Sequence, residues 1–170
     1  MANSEFTTPS NTEIRFRRDF ACTREQLWAL WTQAEHLRNW WAPKGWHTPV
    51  CEVNLRPGGE WNYCMQGSMP GSDEEIRSCG KVIYGEIDAP RRFTGVDVFT
   101  DEAGNVNADM PQAQLAYQFE ESDGGSVVIN TTRYPSQEER DAVIDMGVEM
   151  GMNQTLDKLQ AYIESLGWDA

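Results

Sequence analysis

The residues best suited to nucleophilic chemistry are a histidine and a cysteine on one predicted strand. His47 and Cys51 could form a thiol–imidazole pair, in which the imidazole takes the proton of the thiol. They are four residues apart, and a strand rises about 3.3 Å per residue, so their side chains would lie about 13 Å apart. We therefore exclude this pair, interpret Cys51 as a small core residue, and expect His47 to lie in solvent at a strand end.

The sequence carries no other pattern of a catalytic or metal-binding site. It has no G-x-S-x-G, no phosphate-binding loop and no dinucleotide fingerprint. Its cysteines lack C-x-x-C spacing, and they are accompanied by two histidines only. We therefore predict no catalytic residue, no metal and no cofactor, and we expect all four cysteines to be reduced: Cys22, Cys51, Cys64 and Cys79.

One acidic residue lies inside a predicted strand, in the run GVDVF. Asp97 could face either side of the sheet. If it faced inward it would need a partner such as Arg18 or Arg133, because an unpaired buried carboxylate is destabilising. We therefore expect Asp97 to face outward.

Large aromatic side chains indicate binding rather than catalysis. Six of the seven tryptophans lie within residues 28–61, and some of them must simply form the core. Rigid rings around a few polar tips are also typical of small-molecule sites. Tyr63, Tyr117 and Gln154 are the candidate polar tips.

The charge of the chain limits its partners. The formal net charge is −13, divided into −1 for residues 1–85 and −12 for residues 86–170. Such a surface is unsuited to nucleic acid and to anionic membranes. No apolar run approaches the length of a membrane span, and the N-terminus does not resemble a signal peptide, so we expect a cytoplasmic protein.

The periodicity predicts one α+β domain over residues 12–170, preceded by a disordered tail over residues 1–11. Two short helices follow strand one, the first beginning at Arg24 after the Thr23/Gln26 capping signature. A long C-terminal helical segment starts after Ser136, and Gly147 and Gly151 could divide it into two helices. The seven predicted strands are 12–20, 47–55, 60–67, 77–87, 92–100, 113–121 and 126–134. Short links between them predict an antiparallel sheet, whose apolar face the C-terminal helix must cover.

The run LRPGGEWNYCM predicts a hairpin whose register decides which side chains face the core. An even loop would pair Cys51 with Cys64 and place Val53 and Trp61 on opposite faces. A three-residue loop over 57–59, with Gly59 in the left-handed conformation, puts Val53, Trp61 and Tyr63 on one face, with Val53 opposite Tyr63. We therefore predict that Cys51 and Cys64 face opposite sides and form no disulfide.

Several runs of the chain resemble the domain family related to the activator of heat-shock protein 90 ATPase, a branch of the START-like (SRPBCC) superfamily. They are WALWTQAEHLRNWWAPKGW, CEVNLRPGGEWNYCM, GKVIYGEIDAPRRF, RYPSQEERDA and MGVEMGMNQTLDKLQAYI. The resemblance covers about residues 12–166 and implies a helix-grip fold with a cavity between the sheet and the C-terminal helix. Two positions depart from the family pattern: Asn54 stands where an acidic residue is frequent, and Met152 stands where tryptophan is frequent.

The predicted function is binding of a hydrophobic or aromatic small molecule. The alternatives are a cyclase- or hydrolase-type enzyme using the same cavity, and a chaperone-interaction module. Besides the small molecule, a second copy of the chain is a candidate partner. The glycines of the long helix, opposite rigid rings, predict an elongated pocket between sheet and helix. Its expected lining is Trp61, Tyr63, Tyr117, Phe119, Met150, Gly151 and Gln154.

Overall fold

A computed structural model describes residues 4–168 and shows an eight-stranded antiparallel sheet with four helices. The strands are β1 (Ser4–Thr7), β2 (Glu13–Phe20), β3 (His47–Val53), β4 (Glu60–Ser68), β5 (Glu75–Asp88), β6 (Arg92–Thr100), β7 (Ala113–Ser122) and β8 (Gly125–Arg133). The helices are α1 (Arg24–Thr32), α2 (Ala34–Trp40), α3 (Gln137–Asp145) and α4 (Val148–Leu166). Their arrangement is the predicted α+β helix-grip fold.

The sheet has the strand order β1-β2-β8-β7-β6-β5-β4-β3. Strands β3 to β8 pair with their neighbours in sequence, as short links predict, and β2 closes the sheet against β8. The inner face, which packs against the helices, carries most of the buried rings and aliphatic chains, and α4 contributes Leu156, Leu159 and Ile163. The burial of these three residues and the exposure of Asp157 and Glu164 are as predicted.

The first strand was not predicted. Ser4–Thr7 lies within the segment expected to be a disordered tail, yet it pairs with Arg15–Arg18 of β2. Phe6 lies opposite Phe16, with ring centroids 5.0 Å apart. Four residues are too few to show a clear alternation of apolar side chains, so the sequence indicated seven strands where there are eight.

The helix boundaries follow the capping signals. Thr23 and Gln26 form the capping box that begins α1, and the Ser136 hydroxyl accepts a hydrogen bond from the backbone N–H of Glu139 at the start of α3. Gly147 adopts φ +93°, which L side chains avoid, and it separates α3 from α4. The C-terminal segment is therefore two helices.

The hairpin between β3 and β4 has the predicted faces but a different register. Val53 lies opposite Trp61, and Cys51 lies opposite Tyr63, so these side chains share one face as predicted. The predicted pairing of Val53 with Tyr63 was wrong. The observed register pairs Val53 with Trp61 and leaves residues 54–60 between them, whereas the prediction placed only residues 57–59 in the loop. The left-handed residue is Gly58 (φ +79°), whose N–H donates to the Tyr84 carbonyl, while a Cβ on Gly59 would collide with the backbone oxygen of Asn54.

The expectation of four reduced cysteines was also wrong. Cys64 and Cys79 are cross-strand partners on β4 and β5 with Cα atoms 4.1 Å apart, and they form a disulfide. Pairing had been considered only across the β3–β4 hairpin. Val50, not Cys51, lies opposite Cys64, so the predicted absence of a Cys51–Cys64 disulfide is confirmed. Cys22 and Cys51 are free and buried.

Within residues 4–168, no helix combines the length and the hydropathy that a membrane span requires.

Candidate ligand-binding site on the inner face of the sheet

Asp97 lies on the inner face of the sheet, against the prediction. The register aligns Trp61, Val82, Asp97 and Ala113 in one row across β4, β5, β6 and β7. Side chains directly opposite each other on neighbouring strands share a face. Because the other three are buried, the Asp97 side chain points toward the helices.

The wrong prediction of the face that Asp97 takes has a physical cause in the run GVDVF. Alternation usually separates an inner from an outer side, but here Val98 on the outer face is also buried. At the end of β6, Thr100 pairs with Val106, and the Asn107 N–H donates to the Phe99 carbonyl. The β6–β7 connection therefore folds back on β6. With apolar residues on both faces, the sequence could not tell which side Asp97 takes.

The neighbour of Asp97 is a tyrosine rather than Arg18 or Arg133, the partners considered for an inward-facing carboxyl. The Tyr63 hydroxyl lies beside the Asp97 carboxyl and lowers its pKa. Tyr63 reaches β6 by lying over Gly80 of the intervening strand: a Cβ on Gly80 would be 2.9 Å from the Tyr63 hydroxyl oxygen. Gly80 therefore provides the space in which the ring crosses the sheet.

The surroundings of Asp97 favour its neutral form. Burial raises the pKa of the Asp97 carboxyl to about 7, and the hydrogen bond from Tyr63 offsets part of this rise. Burial, and then the charge of Asp97, hold the pKa of Tyr63 well above its usual range. The same two causes raise the pKa of Tyr134 to about 12 and also raise that of Tyr117. Three tyrosine hydroxyls from β4, β7 and the end of β8 thus share the environment of one carboxyl.

Arg18, which had been considered as a partner for Asp97, contacts α4 instead. Arg18 is buried on β2 and forms a 2.8 Å ion pair with Asp157 and a 2.7 Å hydrogen bond to Gln160. Lys158 on the same helix donates to the Trp46 carbonyl at 2.8 Å. These contacts fix α4 across the inner face from β2 to the segment before β3.

The four predicted sheet aromatics are close together, but helix side chains fill the space between them. Trp61 contacts Trp41 and Tyr63, with ring centroids 4.8 Å and 5.3 Å apart. Trp31 of α1 contacts both Tyr117 (4.6 Å) and Phe119 (6.4 Å). Trp61 and Phe119 are therefore core residues, and this end of the inner face is closed.

The closed end contains hydrogen-bond donors without acceptors. The indole N–H groups of Trp31, Trp41 and Trp61 are buried and have no hydrogen-bond partner, and the Tyr84 hydroxyl is in the same situation. Buried polar groups are nearly always paired in folded proteins, so a cluster of unpaired donors requires an explanation.

In the first turns of α4, Met152 packs against the core, whereas the prediction had named Met150, Gly151 and Gln154. Met152 lies one turn before Leu156. Met150 is 68% exposed, Gly151 has no atom within 4 Å of where a Cβ would lie, and Gln154 is half-buried. The stripe Met152–Leu156–Leu159–Ile163 already marked this face of the helix in the sequence, and it could have directed the prediction to Met152.

Beyond Tyr63 the inner face becomes accessible to solvent. Phe99 lies in the row of Tyr63 and Gly80, and it is 40% exposed. Ile76, on the same side of β5, is 42% exposed. Gly67, opposite Ile76, is covered by the Trp46 ring. Apolar side chains thus continue from the Asp97 cluster to an open edge.

One depression of about 240 Å³ has Tyr63 and Gly80 in its lining, together with Asn62 and residues 100–104. A groove of about 460 Å³ on the outer face is lined by Ile83, Thr94, Val96, Gln114 and Thr131 among others. The elongated pocket predicted between sheet and helix therefore stays a prediction. His47 is exposed as expected, and residues 4–168 contain no cluster of three or more potential metal ligands.

Comparison with known proteins identifies the family of this domain. The family model described as activator of Hsp90 ATPase homolog 1-like protein matches residues 21–164. The chain belongs to this family. All residues around Asp97 lie within the matched part. Among curated proteins, none matches the chain.

Solved structures share this fold over nearly the full length of the chain. Protein Ms6760 from Mycobacterium smegmatis is 28% identical, with a TM-score of 0.83, and the match covers 95% of this chain and 96% of that one. A Staphylococcus epidermidis protein is 28% identical (TM-score 0.76; 93% and 91% covered). A Rhodobacter sphaeroides protein has 23% identity (TM-score 0.82; 96% and 99% covered) and shows the fold alone.

Proposed function

We propose that this protein binds a hydrophobic or aromatic small molecule between the inner face of the sheet and α4. The observation that carries the proposal is the inward-facing Asp97 carboxyl with Tyr63 beside it. A polar pair inside an apolar surface weakens a core unless it contributes to function. Ligand sites typically combine apolar walls with a few convergent polar groups, and this cluster has that composition.

The open edge of the inner face supplies an entry route in this proposal. Partly exposed Phe99 leads to Tyr63, and Met152 of α4 packs against the same core as Tyr63. Met152 stands where the family resemblance indicates a frequent tryptophan, so the smaller and more flexible side chain leaves more room at this point.

Native mass spectrometry of freshly purified protein tests the binding proposal. We expect a co-purified small molecule that is retained by the outer-face control Gln114→Ala and reduced in Met152→Trp, where the larger ring fills the site. Tyr63→Ala should also reduce it. An adduct absent from the wild type, or present equally in all variants, would contradict the proposal.

A cyclase- or hydrolase-type activity is the second candidate, and the same cluster favours it. A carboxyl with a pKa of about 7 can both accept and donate a proton near neutral pH. The test is incubation of any co-purified molecule with wild type and Asp97→Asn: conversion in the wild type alone supports an enzyme. The chaperone-interaction alternative has the family description as its only support. A cytoplasmic location and a homodimer stay predictions.

A further inference from the structure

The inner-face cluster consists mainly of hydrogen-bond donors. The unpaired indole N–H groups of Trp31, Trp41 and Trp61 can only donate. The hydroxyls of Tyr63, Tyr117 and Tyr134 can also donate, and the charge of Asp97 contributes to the raised pKa of all three. The Asp97 carboxyl is an acceptor among these donors, and it accepts strongly only when it is ionised.

Asp97 adds a donor when it is neutral. Its position between Val82 and Ala113 is apolar, and the Tyr63 hydroxyl lies beside it. Among residues 4–168, no arginine, lysine or histidine forms an ion pair with it. A neutral carboxyl donates one hydrogen bond while its other oxygen still accepts from Tyr63.

We infer that the Asp97 carboxyl, with Tyr63 beside it, is the polar anchor of the site and takes a neutral aromatic molecule bearing a carbonyl oxygen. The inference rests on the proposed binding function and deepens it by naming the ligand class. The carbonyl oxygen accepts from Asp97, and the aromatic body packs against Tyr63, Phe99 and Met152.

Two other ligand classes fit the same rings less well. A carboxylate or sulfonate would find no cation in the cluster and would face Asp97 whenever that group ionised. An ammonium ion would suit an ionised Asp97, but below a pH of about 7 it would meet a neutral carboxyl and indole groups that only donate. In addition, Trp41 packs edge-on against Trp61 (62°) and Tyr63 (81°), so these rings contact one another rather than an open space for a cation.

Three naphthalene probes of nearly the same shape test the inference. They are 2-acetylnaphthalene (carbonyl), 2-isopropenylnaphthalene (the carbonyl oxygen replaced by CH₂) and 1-(2-naphthyl)ethylamine (ammonium). Their affinities for the full-length protein are measured by quenching of tryptophan fluorescence at pH 6 and pH 8.5. We expect the ketone to bind about threefold to tenfold more tightly than the alkene at pH 6, as one hydrogen bond allows.

The pH dependence and two variants locate the donor. Because Asp97 loses its proton as the pH rises through about 7, the preference for the ketone should shrink at pH 8.5. Asp97→Asn keeps an N–H donor and should keep the preference at both pH values. Asp97→Val should reduce the ratio toward one while both probes still bind.

Each remaining outcome overturns a defined claim. Equal affinities for ketone and alkene at both pH values overturn the ligand class but leave the binding function intact. Tighter binding of the amine, increasing with pH, overturns the ligand class in favour of a cation. Failure of all three probes to bind overturns the binding function together with this inference. The wild-type comparison needs no variant, so a variant that fails to fold does not weaken the test.

Discussion

At the scale of single residues, Asp97 links the candidate site to the stability of the fold. Its carboxyl holds a proton in the folded state up to a pH of about 7, whereas an unfolded aspartate has a pKa of about 3.9. The contribution of the protonated Asp97 carboxyl to the free energy of unfolding is fully present below about pH 4 and is lost as the pH rises through about 7. Each unit of pKa difference corresponds to about 1.4 kcal/mol, so this one group changes the stability by several kcal/mol.

The first prediction concerns this pH dependence. Asp97→Asn should remove the part of the decline in unfolding free energy that wild type shows between about pH 5 and pH 7. Urea denaturation at several pH values measures the difference. The exposed loop variant Asp123→Asn is the control and should decline as wild type does. A parallel decline in wild type and Asp97→Asn would mean that Asp97 is ionised in the folded protein.

The second prediction concerns Gly80, which leaves the space that the Tyr63 ring occupies. Gly80→Ala puts a Cβ 2.9 Å from the Tyr63 hydroxyl oxygen, so the ring must move away from Asp97. We expect a loss of about 1–3 kcal/mol in stability, as overpacking produces, and weaker binding of 2-acetylnaphthalene. The loss should be smaller in a Tyr63→Ala background. A loss of the same size in both backgrounds would assign it to the Val98 carbonyl, which is also near.

At the scale of elements, local signals predicted most of the fold. The Thr23 capping box, the Pro43 that follows α2 and the stripe on α4 each act over a few residues, so the sequence contains them directly. The register of β3 against β4 and the pairing of β1 depend on partners far along the chain. Asp97 belongs to this second group, because its face depends on how the β6–β7 connection covers the outer side of the sheet.

The third prediction concerns the packing of α4. Leu159 is fully buried between helix and sheet, so Leu159→Ala should cost about 2–5 kcal/mol. On the exposed side of the same helix, Glu164→Ala should change stability by less than about 0.5 kcal/mol. Urea denaturation compares the two. Equal small effects would show that α4 does not pack on the inner face.

The fourth prediction concerns Gly151 in the first part of α4. No atom lies within 4 Å of where its Cβ would be, and its φ is helical, so alanine fits without strain. Gly151→Ala should stabilise the protein by about 0.5–1 kcal/mol through helix propensity. The thermal midpoint measures the gain. A decrease would show that Gly151 contacts another part of the molecule.

At the scale of the whole molecule, the disulfide joins β4 and β5, the strands of Tyr63 and Gly80. Cys64 directly follows Tyr63, and Cys79 directly precedes Gly80. The bond therefore lies next to the point where the Tyr63 ring crosses the sheet. The bond encloses a loop with a sequence separation of 15, for which chain entropy predicts about 3 kcal/mol of stabilisation.

The fifth prediction follows from this bond. In denaturant without a reductant, iodoacetamide should modify Cys22 and Cys51 only, and after reduction it should modify all four cysteines. The double variant Cys64→Ala/Cys79→Ala should be less stable by about 3 kcal/mol. Four modified cysteines before reduction would show that the purified protein lacks the bond.

The proposed ligand site between the sheet and α4 has a rival location on the same sheet, the outer-face groove of about 460 Å³. The most direct test is therefore a ¹H–¹⁵N NMR titration of the protein with 2-acetylnaphthalene. We predict that the largest backbone shifts occur at Tyr63, Gly80, Asp97 and Met152. Shifts concentrated at Thr94, Gln114 and Thr131, or no shifts at all, would contradict a ligand site between the sheet and α4.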